Sequence, residues 1–512
     1  MNKNVTIGIF LFLFFASFYA IFSIGHFGGD GYQDYLTAES IVLDGNLSFF
    51  DRPGDADELQ HPVVHGKEGR DGKIYSSRGG FGMPLLLVPF YFIGHVIAGF
   101  LKSTPHDYVT MFMVSFANPL FSALNAILVF LIGARMGFNR RTALSLSLIY
   151  GLATMAPVYA RTGFAEPAMT LFLLLAAHSA LGYGISFRAR QAVLAAFFLG
   201  CMFLCKASSL IFVACFYVYM GWSLAAKNVP FSRQAKDIIL FTVVFGAIFV
   251  AALALNYIVY GGAFYFGNND AVAIGGRIAS APHVLKGFYY YLLSTGKGFF
   301  IFNIPCVLFL FSLGRALRKN KMETVFFLLI MIVNLLFYVK SFRRGSLFSW
   351  GPRYLMTSVP FAVLLIGYFI EKHKSFLARV FVTALLVAGY IAAFPCLFIN
   401  QSKFYNFAVE KLGVQEYMIN FIPDLSPIKG AWCLFVSGLA DIYGGRPFVF
   451  TYDPDYRLVE PVSSVMTGYN YFDLWCFKVT QLAPVYFPVV LGAAVIFGFI
   501  AVFSVHKLGR ME

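Results

Sequence analysis

The sequence predicts an all-α polytopic membrane protein of about twelve transmembrane helices, and three observations predict it. Of 512 residues, 59% are hydrophobic and 12% charged, with 61 Phe, more apolar surface than a soluble core buries. Apolar runs of about 17 to 25 residues recur along the chain, the length that spans a bilayer as a helix. The 39 Lys and Arg, which set a net charge of +14, fall in short clusters between those runs. That spacing is the positive-inside pattern of a membrane protein and argues against a nucleic-acid partner.

Val5 to Ile24 follows Lys3 and shows no small-residue cleavage site, so it reads as an uncleaved first helix leaving the cytoplasm. Residues 25–109 form a first outer loop, of which 25–83 is rich in Asp and Gly. Within it, Met83 to Leu101 is apolar enough to cross. If it crossed, Arg135, Arg140, Arg141 and every later basic cluster would fall outside. Read as a helix that dips into the outer leaflet, it leaves all those clusters inside. Pro84 and Pro89 suit such an irregular juxtamembrane element. The remaining spans are predicted at 110–134, 143–160, 167–186, 191–206, 207–226, 237–259, 298–314, 322–340, 353–371, 379–398 and 485–505. Residues 1–398 thus form one transmembrane module, 399–484 a small outer region near the C-terminus, and 485–512 a last helix with a cytoplasmic tail.

The chemistry-bearing residues lie at the outer boundaries of these spans. The acids are Asp30, Asp34 and Glu39 after the first helix and Glu166 in a very short loop. The bases are Arg161, Lys206, Lys297, Lys340, Arg343, Arg344 and Arg353. Charges at such depth are expensive unless they bind or react. A carboxylate serves as general base toward a hydroxyl. Cations hold a phosphate and stabilise the charge it carries away as a leaving group. Together they point to transfer from a phosphorylated lipid onto a hydroxyl. Blander readings stand beside this one. Asp30, between Gly29 and Gly31, suits a cap or turn. Glu166-Pro167 suits a plain helix start, and Lys206 in FLCKASSL a snorkelling side chain. Asp34 and Asp44 read as solvated loop acids. His61 and His65 in HPVVH read as a polar loop, and no metal-type Cys or His spacing stands out.

These residues resemble the GT-C class of membrane glycosyltransferases, the superfamily of the aminoarabinose transferases and protein O-mannosyltransferases. An acid follows the first helix (Asp30), with Tyr32, Tyr35 and Ala38 after it and Gly45 beyond. Tyr75-Ser-Ser-Arg-Gly-Gly-Phe-Gly-Met-Pro84-Leu-Leu-Leu resembles the juxtamembrane segment of that class, with Gly79-Gly80 in place of a Pro pair. YARTGFAEPAMTLFL puts Glu166 where relatives have an acid before Pro, and FLCKASSL puts Lys206 where a phosphate-binding Lys stands. NYIVYGGAFYFG and SWGPRYLMTSVPF, the latter carrying Arg353, resemble segments of bacterial members. The resemblance covers roughly residues 1–375.

The resemblance implies an inverting glycosyltransferase, hexosyl or pentosyl, using a polyprenyl-phosphate sugar donor and a hydroxyl-bearing lipid, glycan or protein acceptor. Asp30 would deprotonate the acceptor, and Glu166 would orient Asp30 or the acceptor. Lys206, Arg353 and Arg161 would hold the phosphate, with Arg78, Tyr35 and Glu39 completing the substrate contacts. The expected setting is a bacterial inner membrane with the site facing the periplasm. No cofactor is expected. A divalent metal is allowed but not indicated, since Asp30 is followed by Gly31 rather than a second acid. No P-loop or Rossmann fingerprint appears. A transporter or flippase for a polyprenyl-linked saccharide is the alternative. It would favour internal repeats and midplane charges, neither of which the chain displays.

Overall fold

The structure, a computed structural model, describes residues 3–26, 30–48, 66–77, 80–101, 104–226, 230–265, 281–340, 349–399, 404–405, 409, 416–443, 472–476, 479, 485 and 487–509. The described residues are overwhelmingly helical. In order they form α1 (Lys3–Ile21), α2 (Asp30–Leu43), α3 (Gly82–Phe100), α4 (His106–Val114), α5 (Ala117–Arg135), α6 (Arg140–Ala153), α7 (Ala156–Ala160), α8 (Glu166–Ser186), α9 (Ala189–Cys205), α10 (Val213–Ala226) and α11 (Phe231–Tyr260). Then come α12 (Ala281–Leu292), α13 (Val307–Lys319), α14 (Lys321–Val339), α15 (Val359–Lys372), α16 (Phe376–Ala393), α17 (Pro427–Tyr443) and α18 (Phe487–Gly509). A short antiparallel hairpin, β1 (Gly66–Glu68) with β2 (Ile74–Ser76), precedes α3. Most of the predicted outer region 399–484 lies outside the described residues, as do Arg78, Arg343, Arg344, His61 and His65.

Among the described residues, ten helices are long and apolar enough to cross a membrane. Nine of them match predicted spans and the tenth is Gly82–Phe100. The other three predicted spans depart from single long helices. Residues 140–160 break at Thr154 and Met155, α9 has 17 residues, and 299–319 is interrupted by a 3-10 turn at Ile304–Cys306. Pro157 and Pro305 lie at the breaks, where a missing N–H and a fixed φ interrupt the helical ladder.

Burial sorts the helices. The apolar windows of α8 and α15 are 72% and 78% buried, whereas those of α11 and α18 are 11% buried and turn to lipid. Helix α8 packs on α9 and α5, α1 on α5 and α18, and α9 on α11.

The two ends of the bundle differ chemically. At one end Arg140 Nε donates to Asn4 Oδ1 at 3.1 Å. There too the Asn139 N–H donates to Glu371 Oε1 at 2.9 Å, and Lys319 Nζ pairs with Glu371 Oε2 at 3.3 Å. The start of α1 therefore shares one end with the end of α5. An even number of traverses must separate them, and α1 and α5, each of 19 residues, supply two. Helix α3 has the length to cross but does not, because a third traverse would separate Arg140 from Asn4. The basic clusters gather at this end, and the opposite end carries the candidate site.

Candidate active site

Helix α2 begins at Asp30, and its first turn is pressed onto the loop that leads into α8. A Cβ added at Gly31 would lie 2.6 Å from the Gly163 carbonyl oxygen, so glycine at both positions permits this approach. The loop is held from α5: Asn118 Nδ2 donates to the carbonyls of Thr162 and Phe164, the latter at 2.9 Å. Glu166 then opens α8, with Pro167 in the first turn and the Asn125 amide donating to the Pro167 carbonyl at 2.9 Å. A carboxylate at a helix N-terminus is favoured by the unpaired N–H groups and the helix dipole.

Helix α9 stops at Cys205. Lys206 is extended, with φ −161° and ψ 121°, and a 3-10 turn over Ala207–Phe212 follows. This break turns the lysine out of the helical row and toward Glu166. The start of α3 presses on the same break: a Cβ on Gly82 would fall 2.5 Å from the Cys205 nitrogen. Arg353 opens another 3-10 turn, Arg353–Ser358, just after Gly351 at φ +57°. The Tyr159 hydroxyl fixes this strap by donating to the Trp350 carbonyl at 2.7 Å. Lys297 fixes it as well, donating to the Ser349 carbonyl and to Ser349 Oγ at 3.2 Å. Lys297 is fully buried, and burial first, then the Arg353 charge, pushes its pKa well below the usual lysine value.

The result is one carboxylate between two cations. Lys206 Nζ and Arg353 Nε each lie 3.5 Å from Glu166 Oε1, and all three side chains are largely buried. Aromatic faces line the cations. Lys206 Nζ is 4.3 Å from the Tyr354 ring centroid, and the Arg353 guanidinium is 4.2 Å from that of Phe164. A pocket beside them is bounded by Glu166, Lys206, Ser208, Ser209, Tyr338 and Tyr354. The rings of Tyr338 and Tyr354 stack at 4.5 Å, and the Tyr338 hydroxyl hydrogen-bonds with Ser208 Oγ at 3.0 Å. Asn334 braces the wall by donating to the Tyr354 carbonyl at 3.0 Å and to Ser358 Oγ at 2.9 Å. Ser209 Oγ is buried here with no hydrogen-bond partner among the described residues.

Of the predicted site residues, the structure brings Glu166, Lys206 and Arg353 together and places the first residue of α2, Asp30, at the adjoining loop. Others go elsewhere. Asp34, read from sequence as a solvated loop acid, is 5% exposed on α2 and within electrostatic reach of the Cys205 thiol. It lies one helical turn after Asp30 in the chain. Arg161 does not face the cations' pocket. Its guanidinium donates to the carbonyls of Phe22 at 3.0 Å, Cys396 at 2.6 Å, Ile399 at 2.8 Å and Asp473. It clamps the end of α1 to the turn after α16 and the 472–476 segment. Tyr35 is a packing residue, stacked on Tyr32 and hydrogen-bonded to Thr110 Oγ1 at 2.8 Å. Glu39 lies further along α2, accepting from the Tyr91 hydroxyl at 2.8 Å.

Arg161→Gln is therefore expected to destabilise the fold by on the order of 2–3 kcal/mol, the worth of charged hydrogen bonds to buried carbonyls. Donor affinity of the folded fraction should be unchanged. Thermal melts paired with a lipid-phosphate binding measurement check this, and weakened binding at normal stability contradicts it.

Sequence reasoning missed Tyr338, Tyr354, Asn334, Ser208 and Ser209. A signal existed for two of them: Asn334 and Tyr338 stand four residues apart in the otherwise apolar α14, on one face.

This arrangement of membrane helices and juxtamembrane helix is the GT-C fold. No protein-family model and no curated protein sequence matches the chain. Solved structures do. The crystal structure of ArnT from Cupriavidus metallidurans bound to undecaprenyl phosphate superposes with a TM-score of 0.51 at 14% identity, covering 99% of this chain and 78% of that one. The oligosaccharyltransferase AglB from Archaeoglobus fulgidus, in complex with an inhibitory peptide and a dolichol-phosphate, has a TM-score of 0.50 at 12% identity, covering 96% and 68%.

Proposed function

We propose that the chain is an inverting glycosyltransferase that moves a sugar from a polyprenyl-phosphate donor to a hydroxyl, at the membrane face opposite its basic clusters. The observation that carries this reading is the pair of buried cations, Lys206 and Arg353, converging at 3.5 Å each on Glu166 beside an aromatic pocket. Two buried cations on one wall offer charge-assisted contacts of the kind that hold a phosphate. The Ser209 hydroxyl, which has no hydrogen-bond partner among the described residues, adds a donor on the same wall. The two neighbours in this fold, solved with a polyprenyl phosphate and a dolichol-phosphate, point to the same class of donor.

In this mechanism the acceptor hydroxyl enters between the start of α2 and Glu166. Asp30 takes its proton as the oxygen attacks the anomeric carbon. The bond from that carbon to the phosphate oxygen breaks, and the electron pair leaves on the lipid phosphate. Lys206 and Arg353 stabilise the charge that develops there. Glu166 holds the two cations in place and keeps them from binding the released phosphate too tightly. The bacterial inner membrane with a periplasmic site is the setting that the positive-inside distribution favours.

Lys206→Ala tests it. Removing one charge-assisted contact of about 1.5–3 kcal/mol should weaken donor use by roughly ten- to a hundredfold, with the melting curve retained. The assay is sugar transfer by purified protein from a polyprenyl-phosphate donor. Unchanged donor use removes Lys206 as a phosphate ligand and the reading with it.

A further inference from the structure

Away from the cation pair, the fold gathers a second set of chemistry-bearing side chains. Glu39 projects from α2, His95 from the last turns of α3, and His106 and Asp107 from the start of α4. Donor atoms of Glu39, His106 and Asp107 all lie within 4.8 Å of one another. His106 Nδ1 is 3.3 Å from Asp107 Oδ1, and His106 Nε2 is 2.9 Å from His95 Nδ1. The Tyr91 hydroxyl donates to Glu39 Oε1 at 2.8 Å.

We propose that Glu39, His106 and Asp107 bind a divalent transition-metal ion, with Zn²⁺ the best match, which clamps α2 to α4. A tetrahedral ion with bonds of about 2.0–2.2 Å holds its donor atoms roughly 3.2–3.6 Å apart. The His106–Asp107 pair already has that spacing, and a small rotation of Glu39 completes the face. An imidazole with carboxylates suits Zn²⁺ and its neighbours better than Mg²⁺ or Ca²⁺, which prefer oxygen donors alone.

The supporting shell fits as well. A ligating histidine usually donates its other ring N–H, and a ligating carboxylate is usually hydrogen-bonded in turn. With the metal on His106 Nδ1, the Nε2–H donates to His95, while Tyr91 holds Glu39. The Asp107 side chain is 71% exposed and that of His106 37%, so one side of the site is open for the ion to enter and for water to complete its coordination. The same residues without an ion would form a plain hydrogen-bonded cluster between helices, and the experiment separates the two.

Glu39 stands nine residues after Asp30, about 13 Å along the helix axis. The ion is therefore remote from the reacting centre, and its role is to fix the helix whose first residue is Asp30. The inference does not depend on the glycosyltransferase reading.

The test is Zn²⁺ titration by calorimetry, with metal content measured in parallel, on full-length protein in detergent after chelator treatment. Wild type should take up one Zn²⁺ per chain. His106→Ala and Asp107→Asn should bind it at least about 100-fold more weakly, and His95→Ala roughly 10- to 100-fold more weakly. Asp107→Asn carries the most weight, because an exposed side chain can be changed without disturbing the fold. The chelator-treated variant should melt with chelator-treated wild type. Absence of stoichiometric binding by wild type overturns the proposal, as does unchanged affinity in Asp107→Asn and His106→Ala.

Discussion

Asp30→Asn is expected to slow sugar transfer by about 10²- to 10⁴-fold, the usual effect of losing a general base. The substitution keeps the size and most hydrogen bonding of the side chain but removes its ability to take a proton. The affinity for the lipid donor should stay nearly constant, because the phosphate site proposed above is at Lys206 and Arg353 and not at the start of α2. Asp34→Asn is the informative companion. As a solvated loop acid it would matter little, but it is buried beside the end of α9, where Lys206 leaves the helix. Its neutral variant should therefore disturb Lys206 and weaken donor binding as well as turnover. The measurement is a transfer assay with purified variants together with donor-binding isotherms. Full activity in Asp30→Asn removes the base assignment. Loss of donor binding in Asp30→Asn, matching that of Asp34→Asn, makes Asp30 a structural cap rather than a base.

Glu166→Gln should have an effect of opposite sign on binding and turnover. In the wild type, Glu166 is the shared counter-ion of two cations, each at 3.5 Å and largely buried. Removing one partner of a buried ion pair leaves uncompensated charge and costs about 3–5 kcal/mol. A polyprenyl phosphate can restore the missing charge. Its addition should raise the melting temperature of Glu166→Gln more than that of wild type, and its affinity should rise. If about 3 kcal/mol of the loss is recovered on binding, release of the lipid phosphate slows by about 10²-fold, since each 1.4 kcal/mol is a factor of ten. Turnover should fall accordingly while the apparent affinity for donor improves. Equal thermal shifts in the two proteins, or weaker phosphate binding in the variant, would show that Glu166 does not compete with the phosphate.

The fold was readable to the extent that lipid imposes it. Long apolar runs become helices because no other structure satisfies the backbone in a bilayer. The juxtamembrane nature of α3 was readable only through charge, because its length and apolarity equal those of a true span. The contact between Arg140 and Asn4 then decides it by parity. Glu166, Lys206 and Arg353 stood out because buried charge in apolar sequence is costly and therefore purposeful. Arg161 met the same criterion and proved to be a clamp on backbone carbonyls. One-dimensional sequence records that a charge is present at a boundary but not which acceptors surround it. Asp34 was misjudged because an acid near Gly-rich sequence looks like a loop, whereas residues 30–43 form a helix with one covered face.

Local chemistry alone thus determined the membrane class, nine of the predicted spans, the end of the bundle that gathers basic residues, and the three residues that share the site. Each follows from the price of placing a given side chain or backbone group in lipid. Tertiary structure alone decided which elements meet at the site. The break at Lys206, the glycine contacts at Gly31 and Gly82, the strap held by Lys297 and Tyr159, and the meeting of Glu39 with His106 and Asp107 join residues far apart in the chain. Such pairings depend on how packed helices fit one another, through contacts whose partners no single stretch of sequence specifies.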